Sequence, residues 1–260
     1  MLKGKTALVT GSTSGIGQAI AERLAAAGCN VMLNGFGDAA EIEALRGGLA
    51  ASAGVDVGYS GADMSKPDQI ADLVEETAAS LGGPDIVVNN AGIQYVAPIE
   101  EFPAARWEAI IAINLSAAFY STAAVLPKMR GAGWGRIVNI ASAHGLRASA
   151  GKAAYVAAKH GIVGLTKVTA LETAEDPITC NAVCPGWVLT PLVQKQIDAR
   201  AAEQGCSGDE AARQLLAEKQ PSMEFATPAQ IAGTVAFLCS ADAEQITGTT
   251  ISVDGGWTAR

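Results

Sequence analysis

Eight residues limit what this chain can fold into more than any others: Thr10-Gly11-Ser12-Thr13-Ser14-Gly15-Ile16-Gly17. They follow a short apolar run at 6–10 and lead directly into a helical pattern at 15–27. A glycine-rich turn between a strand and a helix leaves backbone N–H groups and the positive end of the helix facing an open space. That space suits the pyrophosphate of a dinucleotide. Gly11 permits the tight turn, Gly15 lets backbone approach the phosphates, and Gly17 allows the helix to pack closely on the strand. Thr13, Ser14 and Ile16 complete the candidate cofactor loop. The glycine spacing, with three residues and then one between glycines, differs from the commoner one-then-two spacing, so the strand–turn–helix context carries the inference.

The rest of the chain repeats this alternation. Apolar, β-branched runs at 6–10, 30–33, 55–59, 85–89, 136–140, 179–183 and 250–253 predict strands covered on both faces. Helical patterns at 15–27, 39–51, 67–81, 103–130, 153–174 and 228–239 lie between them. Such alternation predicts one α/β domain over 1–260, a Rossmann-like doubly wound sheet of about seven parallel strands with helices on both faces. Residues 191–225 break the pattern. They are charged, interrupted at Gly205 and Gly208, and long enough for two short helices, which predicts a helical insertion acting as a lid.

With 18 basic and 26 acidic residues the net charge is −8, the wrong sign for attracting nucleic acid. The 19 residues at 109–127 carry no charge, but Asn114, Ser116, Tyr120, Ser121 and Thr122 fit a buried helix better than a membrane span. No apolar signal segment opens the chain, so a cytoplasmic location is expected. The five cysteines (Cys29, Cys180, Cys184, Cys206 and Cys239) are dispersed and odd in number, as expected of reduced, mostly buried thiols and not of a metal site.

Cofactor preference is readable after the second strand, where an acidic residue would bond the adenosine ribose and arginine would accept a 2′-phosphate. The segment here is Asn34-Gly35-Phe36-Gly37-Asp38, with the acid displaced beyond a glycine-flanked phenylalanine. No lysine or arginine lies between Arg23 and Arg46 to neutralise a phosphate, which favours NAD over NADP.

A second motif is Ser142 followed by Tyr155-Val156-Ala157-Ala158-Lys159. The four-residue spacing puts Tyr155 and Lys159 one helical turn apart. A phenol becomes a base near neutral pH only if positive charge favours its anion, and a shift of about three units corresponds to roughly 4 kcal/mol. Ser142, just past a strand, can hold the reacting oxygen.

Together these residues resemble the short-chain dehydrogenase/reductase family over essentially the whole chain. Asp63, Asn89-Asn90-Ala91-Gly92, Asn114 and Pro185-Gly186 followed by Thr190 add to the likeness. The resemblance implies that Asn90, Ala91 and Gly92 flank the adenine ribose and cofactor backbone, Asp63 and Met64 the adenine, and Thr190 the nicotinamide amide. It also implies cofactor contacts from Phe36, Pro185, Gly186 and Val188. Tyr155 would be the general base, Lys159 would bind the nicotinamide ribose, and Asn114 would hold a water that continues the proton path.

Within the family the chain resembles the bacterial D-3-hydroxybutyrate dehydrogenases, through Asn34-Gly35-Phe36-Gly37, Ala91-Gly92-Ile93-Gln94, Ser142-Ala143-His144-Gly145, Lys152, Pro185-Gly186-Trp187 and Asp254-Gly255-Gly256-Trp257. Tyr95 departs from that pattern, where histidine commonly follows the glutamine. The implied substrate is a small hydroxy acid whose carboxylate needs dedicated partners in an acidic protein. Lys152 supplies charge, and Gln94, His144 and Gln196 supply directed hydrogen bonds. Trp187 and Trp257 either wall the pocket or fill core, and His160 is a structural histidine. A homotetramer is implied by the resemblance. Other readings remain: a 3-oxoacyl carrier-protein reductase or another short-chain alcohol dehydrogenase, and a noncatalytic dinucleotide-binding sensor.

Overall fold

A computed structural model describes residues 2–259. Its sheet has seven parallel strands, β1 (Thr6–Val9), β2 (Asn30–Asn34), β3 (Val57–Ser60), β4 (Ile86–Asn89), β5 (Gly135–Ile140), β6 (Ile178–Pro185) and β7 (Thr250–Val253), in the order β3-β2-β1-β4-β5-β6-β7. Strand order reverses between β1 and β4, so the crevice beyond their carboxyl ends is the place where this topology binds ligands. Every predicted strand is present. Val55 and Asp56 stand before β3, because Gly54 closes the preceding helix in the left-handed conformation and the Asp56 N–H donates to the Asn30 side chain.

The helices are α1 (Gly15–Ala26), α2 (Ala39–Ala53), α3 (Pro67–Leu81), α4 (Ala104–Ile111), α5 (Ala117–Ala132), α6 (Ala153–Glu172), α7 (Pro191–Gln204), α8 (Gly208–Lys219) and α9 (Pro228–Leu238). Alternate residues of each strand feed opposite cores. Val9, Val31, Val88 and Val138 pack with Ile20 and Leu24 of α1 and Ile231 and Val235 of α9. Leu8, Met32, Val87 and Ile137 pack with Ile70 and Leu73 of α3 and Val125 and Met129 of α5. The sheet is thus sandwiched between helices. The apolar stretch Ala104–Ala132 is long enough to cross a membrane by length and composition, but part of it packs on this second core.

Two expectations need correction. The helix expected over 103–130 is divided by a π turn at Ala112–Ser116, and a uniformly apolar pattern cannot disclose one extra residue in a turn. Gly208 does not interrupt the insertion. Gly205 ends α7 with φ 63°, Ser207 caps α8 through its hydroxyl, and Gly208 is the first residue of that helix.

Candidate active site

The glycine turn meets β4 through Asn90, whose side-chain amide donates to the carbonyls of Thr10 and Gly11, both at 2.9 Å. A methyl group on Gly17 would come within 2.2 Å of the Gly11 carbonyl oxygen, so that glycine is required by packing. Gly15, at φ 59°, has only Thr190 nearby, at 3.8 Å, and faces open space. The resulting cleft of about 400 Å³ is lined by Gly11, Thr13, Ser14, Gly15, Ile16, Gly17 and Phe36 on one side and by Asp63, Met64, Asn90, Ala91, Gly92 and Thr190 on others. A narrow crevice with bare backbone at the start of α1 fits a dinucleotide. Asn90 braces the turn from behind, a role the expected ribose contact did not include.

Asp38 is accounted for. It caps α2, accepting from the N–H groups of Ala40 and Glu41 at 2.9 and 3.1 Å. Asn34 ties the neighbouring strand ends together, accepting from Gly11 N–H and donating to the carbonyls of Ser60 and Ala62. Phe36 is 68% exposed at the cleft rim.

A second cavity of about 220 Å³ continues from the cleft, sharing Ile16, Asn90, Gly92, Ile93, Thr190 and Leu192 with it. Ser142, Tyr155 and Lys159 line it together with Gln94, His144, Lys152 and Gln196. Pro185, Gly186, Trp187, Val188 and Trp257 complete the wall, so both tryptophans that could have been core belong to the cavity. Their rings lie 6.0 Å apart. His160 is outside, bonded to the Val156 carbonyl. Tyr95 packs edge-on against Phe102 and under Arg106, and does not line the cavity.

Ser142 opens a tight turn after β5, and its hydroxyl accepts from the His144 N–H at 3.1 Å. Tyr155 and Lys159 share a face of α6. The Lys159 ammonium is buried and donates to the Ile140 carbonyl at 2.6 Å. Burial pulls its pKa down to about 8. Burial pushes the Tyr155 phenol up, and its hydrogen bond with Ser142 works against that. With the protein's own groups the phenol is therefore raised, whereas the expectation was that the Lys159 ammonium and a cationic nicotinamide together favour its anion. Asn114 lies in the π turn, and its side chain accepts from Ile93 N–H and donates to the Ile93 carbonyl, at 2.9 and 3.1 Å.

The acid-binding candidates carry opposite protonation states. Burial, with the adjacent ammonium groups of Lys152 and Lys219, pushes His144 down to about 3, so it is a neutral hydrogen-bonding group at physiological pH. Burial and Lys219 together pull Lys152 down to about 8, leaving it mainly cationic near pH 7. Lys152 also sits 5.5 Å from the Trp187 ring centroid. Sequence reasoning missed Lys219, Gln220 and Ser149. Gln220 is buried and accepts from Trp187 N–H at 2.7 Å, fastening the end of the insertion to the cavity wall. No motif in the sequence marks these residues, and only the return of the chain at the end of α8 brings Lys219 and Gln220 here.

The arrangement can bind a dinucleotide in the cleft and place a small molecule against Tyr155 in the adjoining cavity. Comparison with known proteins agrees. A family model described as enoyl-(acyl carrier protein) reductase matches residues 11–258. A D-beta-hydroxybutyrate dehydrogenase of Cupriavidus necator is 58% identical over all of both chains. Another from Rhizobium meliloti is 52% identical, covering 98% of this chain and 99% of that one. The crystal structure of L-sorbose reductase from Gluconobacter frateurii, complexed with NADPH and L-sorbose, superimposes with a TM-score of 0.95 at 31% identity, covering 99% of this chain and 98% of that one. The shared sheet and full-length similarity make this protein an oxidoreductase using a nicotinamide dinucleotide, and the chain belongs to the short-chain dehydrogenase/reductase family.

Proposed function

We propose that the protein interconverts D-3-hydroxybutyrate and acetoacetate with NAD as cofactor. The observation that carries this reading is the convergence of Lys152, His144, Gln94 and Gln196 on the cavity that also holds Ser142 and Tyr155. The ammonium and amide groups of that lining suit a carboxylate, and Ser142 and Tyr155 suit a secondary alcohol. Similarity to dehydrogenases of this substrate in two bacteria supports it.

In this reading Lys152 attracts the carboxylate and the two glutamines orient it through hydrogen bonds, while neutral His144, whose ring nitrogens face Ser149 and Ser142, lines the cavity beside the reacting groups. Trp187 and Trp257 exclude water from the short carbon chain. Ser142 holds the reacting oxygen, and Tyr155 takes its proton. Lys159 passes that proton on, towards a water held at Asn114. The Asn114 side chain itself is bonded to the N–H and the carbonyl of Ile93. Gly11 to Gly17, Asn90 to Gly92 and Thr190 would hold the cofactor, which in its oxidised form would supply a hydride acceptor and a positive charge favouring the Tyr155 anion against the burial that raises the phenol. The insertion at 191–225 acts as a lid, because Gln196 reaches the cavity from α7 and Gln220 closes its wall.

NAD is the preferred cofactor because no basic residue lies between Arg23 and Arg46 to accept a 2′-phosphate, while Asp38, occupied as a cap, takes no part in the choice. A homotetramer, the expected assembly, would cover exposed apolar side chains on α5 and α6, including Phe119, Tyr120, Val168 and Leu171. The test is NADH formation with purified protein and D-3-hydroxybutyrate, run in parallel with NADP and with a 3-oxoacyl carrier-protein substrate plus NADPH. Turnover only with NAD and the hydroxy acid is expected. Turnover only with the carrier substrate would overturn the reading, and tight NAD binding without any turnover would mark a sensor.

A further inference from the structure

A chain of polar contacts runs from the end of the insertion to Ser142. The Lys219 ammonium, at the last residue of α8, donates to the Ser149 hydroxyl in the loop before α6. Ser149 Oγ lies 2.8 Å from His144 Nε2. On the other side of the same ring, His144 Nδ1 lies 3.5 Å from Ser142 Oγ. The ring is held edge-on between Tyr155 and Trp257, at centroid distances of 5.8 and 5.0 Å, so the two nitrogens keep these neighbours.

A neutral imidazole has one ring proton, and which nitrogen carries it decides what the ring offers to each side. An ammonium can only donate. Ser149 Oγ accepts from Lys219, and the arrangement that also uses the Ser149 proton gives it to His144 Nε2 as the bare, accepting nitrogen. The ring proton is left on Nδ1, facing Ser142. Ser142 Oγ already accepts the His144 backbone N–H, and an Nδ1–H donor on the same side leaves the Ser142 proton free for Tyr155 or a reacting oxygen. The opposite tautomer would turn Nδ1 into an acceptor competing for that proton.

We propose that Lys219 is a positioning residue that acts through Ser149 to fix His144 as the Nδ1–H tautomer, and so directs the Ser142 hydroxyl towards the reaction. The proposal rests on the reading of Ser142 and His144 as substrate-facing groups. It ties the chemistry to the seating of α8, because the only cation in the relay comes from the insertion.

The tautomer can be read directly. The sequence has only two histidines, and His160→Gln leaves His144 as the sole source of ring-nitrogen signals. In 15N spectra of the full protein near pH 7, without substrate, Nδ1 should carry the proton. Lys219→Met and Ser149→Ala should each shift the ring towards a mixture or to Nε2–H, and Lys219→Arg should restore Nδ1–H. In turnover, Lys219→Met should lower kcat about tenfold, less than the 10²–10³ typical of deleting a catalytic hydrogen-bond donor outright. Its affinity for NAD should not change. Combining it with Ser149→Ala should cost little more than either alone, as for two links of one chain. A parent enzyme with the proton on Nε2, or a Lys219→Met protein whose tautomer is unmoved, would overturn the proposal, as would fully additive losses in the double variant. The spectra need no substrate, so a mistaken substrate assignment would leave their result standing.

Discussion

The glycine turn of the cleft is shaped by close backbone packing, whereas the proposed substrate cavity brings together side chains, and the two differ in how far apart in sequence their parts lie. The cleft depends on a turn of eight consecutive residues, braced by Asn90 at the neighbouring strand end. The acid-binding group proposed in the cavity joins Gln94, His144, Lys152 and Gln196, with Ser149 and Lys219 bonded in turn behind His144. Backbone shape tolerates few substitutions but serves any dinucleotide. Side chains from separate segments can be exchanged singly, so substrate identity can change without disturbing the fold.

That contrast is most severely tested at the glycines. Gly17→Ala should abolish NAD binding and greatly lower stability, because the added methyl would sit 2.2 Å from the Gly11 carbonyl oxygen and 2.5 Å from Asn90 Nδ2. Gly15→Ala meets nothing closer than 3.8 Å, so it should cost only about 1–2 kcal/mol from its left-handed backbone. Calorimetric NAD titration and thermal unfolding would measure both. Equal damage from the two would show that crowding does not shape the cleft.

On the cavity side, Lys152→Ala should lower kcat/KM for D-3-hydroxybutyrate by roughly 30- to 1000-fold, the equivalent of about 2–4 kcal/mol for stranding a desolvated carboxylate. Affinity for NAD should stay unchanged. The weak turnover expected of 2-butanol, which has no carboxylate, should fall little further. If butanol and hydroxybutyrate suffer alike, Lys152 places the helix and does not bind the acid.

A smaller effect follows from the Lys152 pKa of about 8. Binding of an unreactive carboxylate such as butyrate should be constant below that pH and weaken about tenfold per unit above it, as the ammonium is lost. The contribution of Lys152 to the stability of the free protein should move the other way, opposed above about pH 9 by the buried thiols of Cys29, Cys180, Cys184 and Cys239, whose pKa values burial raises. The unfolded chain keeps this lysine protonated up to about 10.4, so between roughly pH 8 and 10.4 the unfolded state binds more protons and the folded state gains as pH rises. Lys159, also lowered to about 8, adds to the stability trend with the same sign. Butyrate affinity that stays flat through pH 9 would remove Lys152 as its charge partner.

The smallest expected change is at Asp38. Asp38→Ala should cost about 1 kcal/mol of stability by removing the α2 cap, with NAD affinity unaltered. A loss of NAD affinity would instead mean that the carboxylate reaches the ribose, and would blur the distinction between a backbone-built cleft and a side-chain-built cavity.

Which parts of this were legible in the sequence follows the same division. The glycine turn, all seven strands and the Tyr155–Lys159 pair could be read because each signal lies within a short stretch whose period or spacing has one physical meaning. Gln94, His144, Lys152 and Gln196 entered through likeness to a family, since no local pattern joins residues this far apart. The π turn at Asn114 was hidden, because one extra residue in an apolar helix does not alter its composition. The role of Asp38 was likewise undecided, since an aspartate just after a strand can cap the next helix or face a ribose.

The sequence by itself determined the alternating sheet, the dinucleotide turn and the family, because hydrophobic period and glycine placement act over neighbouring residues. Only the tertiary structure decided that His144 is neutral while Lys152 is charged, because burial and the nearness of Lys219 set those pKa values. It alone placed Lys219 and Gln220 beside residues some 70 and 33 positions away. Electrostatics and hydrogen bonding depend on distance in space, and folding sets that distance.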